Sequence, residues 1–306
     1  MKVPVRDQFS AALDALITQV QQDRTILAAV LGGSLSHDRV WEKSDIDLLL
    51  ITMDDKLTGQ TSIALNADGV NVHALLMQRA EFRKLVERSV HQSFMHSFIA
   101  KSRVVFTRDD TITALCAQLQ QIGARDTSLA LLSAGIDVLP CLYKARKFLL
   151  TRGDLDYTAL WILYATTAMA QVEVISARKL VEREVIQQAL ALNPDFFTIV
   201  YTDLLNAKKT KKAVQAALAA ADDYMAKRAK RLFAPVLDYL RDAGDVRSAS
   251  DLEAHFARSF GIHGVTTACE YLADQDIIAK ASAPVRATKR SSLSLQELAF
   301  FLPDGE

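Results

Sequence analysis

Leu31-Gly32-Gly33-Ser34-Leu35-Ser36-His37-Asp38-Arg39-Val40-Trp41-Glu42-Lys43-Ser44-Asp45-Ile46-Asp47-Leu48-Leu49-Leu50-Ile51 is the stretch whose reading decides the fold. An apolar run stops at the small-residue turn Gly32-Gly33-Ser34. After ten intervening residues, 35–44, comes Asp45-Ile46-Asp47, which runs straight into a second apolar segment. Side chains alternate along a strand, so Asp45 and Asp47 share one face and Ile46 takes the other. Two carboxylates held side by side repel each other unless something neutralises them. A hard divalent cation with oxygen ligands is the natural partner, and Mg keeps phosphate oxygens and waters in its remaining positions. The upstream turn supplies what a phosphate needs: close backbone approach at Gly32 and Gly33, and the hydroxyl and N–H of Ser34. The pattern predicts a site for a nucleoside triphosphate and its metal, with Asp45 and Asp47 as the metal ligands. An Asp-x-Asp pair alone is common on solvated strand ends; the turn and its spacing make this one chemical. Neither a Gly-x-x-x-x-Gly-Lys-Ser loop nor a Gly-x-Gly-x-x-Gly turn after a strand competes with it.

Around this stretch the periodicity predicts an α+β arrangement. Phe9, Leu13, Leu16, Ile17 and Val20 form a helical stripe within residues 7–23. Ile26–Leu31 and Asp45–Thr52 read as strands, the second apolar enough for burial on both faces. Ser62–Asn66 and Val70–Met77 flank Asp68-Gly69, the strongest hairpin signal in the chain. A helix is expected from Ala80 to about Ile99, and one more strand over Arg103–Thr107.

From about Thr127 strand signals vanish, and helices are expected over 127–151, 156–178, 182–192, 196–206 and 211–241. Pro140 predicts a kink in the first of them. The tail shows a third pattern: helical segments at 235–242, 250–259 and 265–274, separated by Gly244, Gly261 and Gly264, and then two extended segments around a basic loop with Pro284. That order is the order of a winged helix; helical repeats or an extension of the bundle match it nearly as well. The expected domains are 1–122, a short mixed sheet flanked by helices; 123–233, all helical; and 234–306, a small C-terminal domain.

The Gly33-Ser34 turn, the Lys43-Ser44 lead-in and Asp45-Ile46-Asp47-Leu48 together resemble the signature of the DNA polymerase β-type nucleotidyltransferase superfamily. The order of elements extends the resemblance over residues 1–110. The Val70-Asn71-Val72-His73 strand and the Phe94-to-Thr107 stretch are similar to the aminoglycoside (kanamycin) nucleotidyltransferase branch. The resemblance implies transfer of a nucleoside monophosphate from a nucleoside triphosphate, with ATP expected, to a hydroxyl acceptor. It implies Mg on Asp45 and Asp47 and a nucleotide held by Gly32, Gly33, Ser34, Lys43 and Ser44.

Two positions depart from that pattern. The superfamily takes a third carboxylate from a neighbouring strand, and here the matching position is Asn71 or His73. His73 is the candidate third catalytic residue, since an imidazole can accept a proton near neutral pH; a structural histidine is the plainer alternative. The kanamycin-type enzymes carry a glutamate base on a helix of the second domain. Residues 136–144 hold no glutamate, and Asp137 is the nearest acid. Lys144, one turn from Lys147 and near Arg146, is a candidate triphosphate contact, with a solvated helix face as the alternative. Ser36, His37, Asp38 and Arg39 are expected to loop over the nucleotide, with His37 where relatives often place an arginine.

Composition narrows the partners. The 36 Lys and Arg balance the 36 Asp and Glu, so no global field favours nucleic acid or a membrane. Basic runs occur at Lys208–Lys212 and Lys227–Arg231, and Arg286, Lys289 and Arg290 decorate the basic loop. They suit a solvated face or, through the tail, a nucleic-acid contact; the helix around Val265–Ala273 that would read a duplex carries no arginine. Cys116, Cys141 and Cys269 lack metal-ligand spacing. The N-terminus lacks an apolar signal region and no unbroken apolar run reaches the roughly 20 residues of a membrane span, so a cytoplasmic protein without a membrane partner is expected. The acceptor is expected to be a small molecule; transfer onto RNA or protein, or a nucleotide-binding regulator that has lost turnover, are the other readings.

Overall fold

The apolar stripe near the N-terminus becomes α1 (Val5–Val20) in the computed structural model, which describes residues 4–37, 40–54, 61–88, 102–118, 124–288 and 290–303. The chain divides into two compact units, Met1–Ile122 and Gly123–Glu306.

The first unit is built on a five-stranded sheet. Its strands are β1 (Ile26–Gly32), β2 (Ile46–Thr52), β3 (Ser62–Ala67), β4 (Val70–Gln78) and β5 (Arg103–Thr107), in the order β3-β4-β2-β1-β5. Only β2 and β4 pair in parallel. Asp68 and Gly69 both take positive φ, at 48° and 83°, and close the β3–β4 hairpin as the Asp-Gly signal requires. Gly69 also donates its N–H to Asn66 Oδ1 at 3.1 Å.

Strand alternation sorts the sheet into two faces. Leu31, Ile46, Leu48, Leu50, Val72 and Ala74 bury against Phe9, Leu13, Leu16, Ile17 and Val20 of α1. On the other face Val30, Leu49 and Ile51 are fully buried, where α2 (Arg79–Arg88) packs on β2 and β4 and α3 (Asp110–Gln118) packs on β5. The helix expected over 80–99 is thus present as far as Arg88; residues 89–99, Asp38, Arg39 and Lys289 lie outside the described residues.

In the second unit α4 (Ala124–Arg152) and α5 (Leu155–Ser176) form a helical hairpin. Gly153 turns between them at φ 63°, and Asp154 caps α5 by accepting the Tyr157 N–H at 2.9 Å. Pro140 sits inside α4, which runs on to Arg152 as a single helix. On length and apolar composition both helices qualify as membrane spans, against the sequence expectation, because their few charges are spread through otherwise apolar segments. Yet 61% of each apolar stretch is buried inside the protein, as in the core helices of a packed unit.

Farther on, α6 (Val185–Leu192) is followed by a helical run broken into Pro194–Phe197, a π-turn at Thr198–Thr202 and Asp203–Asn206, where one helix was expected. The helix expected over 211–241 is also broken. It becomes α7 (Lys211–Ala226), a turn at Ala229–Leu232 and α8 (Ala234–Ala243). Pro235 is the physical reason for the second break: it has no N–H to donate to the previous turn and sits instead in the first turn of the new helix that starts at Ala234.

The tail continues with β6 (Arg247–Ser248), α9 (Ala249–Phe260), α10 (Val265–Asp274), β7 (Ala279–Val285) and β8 (Leu295–Phe301). The strands form an antiparallel sheet in the order β6-β8-β7. Helix, short strand, two helices and a strand pair around a loop is winged-helix topology. Helix α10 packs on α4; a Cβ at Gly264 would already lie 3.0 Å from Ile136 Cγ2.

Candidate active site

The pairing of β1 with β2 brings the two halves of the motif together. Gly32 is the register partner of Asp47, and the chain turns at Gly33 with φ 66°. That turn passes so close to Asp47 that a Cβ at position 33 would meet Asp47 Oδ2 at 2.0 Å. Only glycine fits there, for space as well as for backbone conformation. Ser34 opens a 3-10 turn, Ser34–His37, and the Ser36 hydroxyl pins it by donating to the Gly33 carbonyl at 2.7 Å.

Pairing β2 with β4 in parallel completes the cluster. Asp47 is the register partner of His73, and Ile46 is that of Val72. Alternation therefore sets Asp45, Asp47, Asn71 and His73 on one face, the one that holds Leu49 and Ile51 farther along β2. Leu49 and Ile51 are covered, whereas the side chains of Asp45 and Asp47 stay 35% and 39% exposed at the open end of the same face. His73 Nδ1 lies 3.8 Å from Asp45 Oδ2 and 3.9 Å from Asp47 Oδ1. These are ion-pair distances, longer than a hydrogen bond. The imidazole thus occupies the place next to both acids where the resemblance implies a third carboxylate.

The donor set can be tested against the chemistry of magnesium. Two carboxylates on one open face match a cation that takes one or two carboxylates and fills its other positions with phosphate oxygens and water. Among the described residues no group of three His, Cys, Asp or Glu is placed to hold a metal ion.

The lead-in to β2 is a tight turn. Ser44 donates its N–H to the Trp41 carbonyl at 2.9 Å and accepts the Trp41 N–H on its hydroxyl at 3.1 Å. Lys43 is exposed in this turn, while the Ser44 hydroxyl is engaged in bracing it. Trp41 itself is 64% exposed, a large apolar cost for one side chain. Sequence reasoning passed over it; the signal was a lone indole in an otherwise polar loop.

Lys144 belongs to the second unit, where its Nζ sits 4.1 Å over the Trp161 ring. Its neighbour Arg146 is taken by Asp222 at 2.7 Å. Burial raises the carboxyl pKa of Asp137 on the same helix. The basic run 227–231 is largely structural: Lys227 pairs with Asp223, and Arg228 lies over the Tyr224 ring beside Glu173.

Helix α10 offers a duplex little. It carries no lysine or arginine, and Asp274 at its end is paired with Lys280 at 2.7 Å.

Residues 14–111 match the family model described as polymerase beta, nucleotidyltransferase. No curated protein sequence matches the chain significantly. Among solved structures, a nucleotidyltransferase-like protein from Exiguobacterium sibiricum superposes with a TM-score of 0.66 over 96% of this chain and 99% of its own, at 16% identity. At that identity the match speaks for the fold. Neither comparison singles out the aminoglycoside branch.

Proposed function

With residues 14–111 a nucleotidyltransferase domain of the polymerase β type, we propose that the protein moves a nucleoside monophosphate from ATP or another nucleoside triphosphate to a hydroxyl acceptor and releases pyrophosphate. The observation that supports this most is the convergence of the Gly33 turn, Asp45, Asp47 and His73 at one open sheet end.

Asp45 and Asp47 would hold Mg, which neutralises charge developing on the phosphates as the α-phosphorus is attacked. The Gly32-Gly33-Ser34 turn brings backbone N–H groups and the Ser34 hydroxyl to the phosphates. His73 Nδ1 accepts the acceptor's hydroxyl proton, in place of a carboxylate base. Trp41 gives the nucleobase a ring to stack on. Lys43 adds a positive charge near the triphosphate.

A small-molecule hydroxyl is the acceptor we favour over a duplex, given the cation-free α10. The test is pyrophosphate release from each nucleoside triphosphate, with magnesium and with chelator, across hydroxyl-bearing acceptors. Acceptor-dependent, magnesium-dependent release is expected. Tight nucleotide binding without release under any condition would make the protein a nucleotide-binding regulator instead.

A further inference from the structure

A second polar cleft lies wholly within the winged helix. It has a volume of about 450 Å³ and is lined by Tyr239 of α8, Arg247 of β6, and Asp251, His255, Arg258 and Ser259 of α9. Asp251, His255 and Arg258 recur at helical spacing, so they form one stripe of α9, while Leu252 and Phe256 on the opposite stripe are buried.

Three features of this cleft point to an anion. First, Arg247 is fixed by the pairing of its backbone with Phe300 on β8, yet its Nε is buried with no hydrogen-bond partner. Buried N–H groups are nearly always partnered, and leaving one bare is costly. Second, Arg258 spends only its Nε, which donates to the Ala254 carbonyl at 3.0 Å. Among the described residues neither guanidinium forms an ion pair, so the terminal Nη groups of both are available. Third, the His255 ring is held in place by stacking on Tyr239, centroid to centroid 4.2 Å. Two guanidinium groups face one carboxylate, Asp251. Guanidinium forks match the geometry of phosphate oxygens.

We propose that this cleft binds a small phosphate monoester. Arg247 and Arg258 grip its phosphate, and Asp251 accepts a hydrogen bond from a hydroxyl on the same molecule. Helix α10, the element that would enter a DNA groove, contributes nothing to the cleft. The proposal is independent of the nucleotide chemistry at the acid end.

Isothermal titration of the full-length protein without magnesium tests it, with inorganic phosphate and ribose 5-phosphate as probes. Wild type should bind both. Arg258→Gln, at an exposed position, should leave the unfolding temperature unchanged and weaken both at least tenfold. Arg258→Lys, which keeps the charge and loses the fork, should fall between. Asp251→Ala should weaken ribose 5-phosphate several-fold more than inorganic phosphate, and Asp47→Asn should change neither. Absence of binding in wild type, equal affinity in Arg258→Gln, or loss in Asp47→Asn would overturn the assignment. So would a response to oligonucleotides alone.

Discussion

The carboxylate of Asp47 fills the space that a Cβ at Gly33 would need: the two would meet at 2.0 Å. The turn and the acid are therefore packed as one unit, and the glycine is what lets Asp47 lie against the backbone of the turn. Gly69 gives the control, because it has φ 83° with nothing within 4 Å of an added Cβ. Gly69→Ala should cost only backbone strain, about 1–3 kcal/mol, and leave activity intact. Gly33→Ala should cost the same strain plus displacement of Asp47, and lower activity at least tenfold. Thermal unfolding and rate measurements on both variants check this. Equal activity in the two would break the link between turn and acid.

His73 faces both acids, with Nδ1 at 3.8 Å from Asp45 and 3.9 Å from Asp47, and is the proposed proton acceptor. His73→Ala should lower kcat by about 10²–10⁴-fold with little change in KM for the nucleotide. A raised KM with kcat unchanged would make His73 a positioning residue.

Trp41 is exposed beside Lys43 and Ser44, in the turn that leads to Asp45. Stacking of a base on an aromatic ring contributes about 1–3 kcal/mol. Trp41→Ala should raise KM for the nucleotide accordingly, by roughly five- to hundredfold, while kcat and the unfolding temperature hold. Trp41→Phe should recover most of the loss.

Much of this site is written in short-range pattern, and the rest depends on register. The shared face of Asp45 and Asp47 follows from alternation, and Asp68-Gly69 announces its own turn. Which of Asn71 or His73 meets the acids does not, because it depends on how β2 and β4 align, and that pairing joins segments far apart in the chain. The fit of Gly33 against Asp47 depends in the same way on β1 meeting β2. In the second unit the helical period carried straight through Pro235, where the missing N–H ends one helix and starts another. The winged-helix order was visible in the spacing of Gly244, Gly261 and Gly264. That α10 turns toward α4 was not, because it depends on the packing of Gly264 near Ile136.

Asp109 caps α3. It accepts the Thr111 hydroxyl at 2.6 Å and the Thr111 N–H at 3.0 Å, with Arg79 at 3.3 Å. Those hydrogen bonds, the hydroxyl's first, hold its carboxyl pKa below the ordinary value. A lowered folded-state pKa stabilises the protein above the ordinary carboxylate value, about 3.9, and the contribution fades as pH falls through the folded value. Asp109→Ala should therefore cost about 1 kcal/mol at pH 7, and the difference from wild type should shrink at pH 3. Denaturant unfolding at the two pH values reads this directly; a difference independent of pH would show that the cap acts through packing alone.

In the proposed reaction Asp45 and Asp47 form a metal-dependent site for nucleotide transfer. The most direct measurement follows the label from α-phosphate-labelled ATP, with magnesium and a hydroxyl acceptor, in wild type, Asp45→Asn and Asp47→Asn. Wild type should place label on the acceptor and transfer none from γ-labelled ATP, and each variant should lose at least a hundredfold while remaining folded. Equal transfer by the variants, or transfer of the γ label, would contradict it.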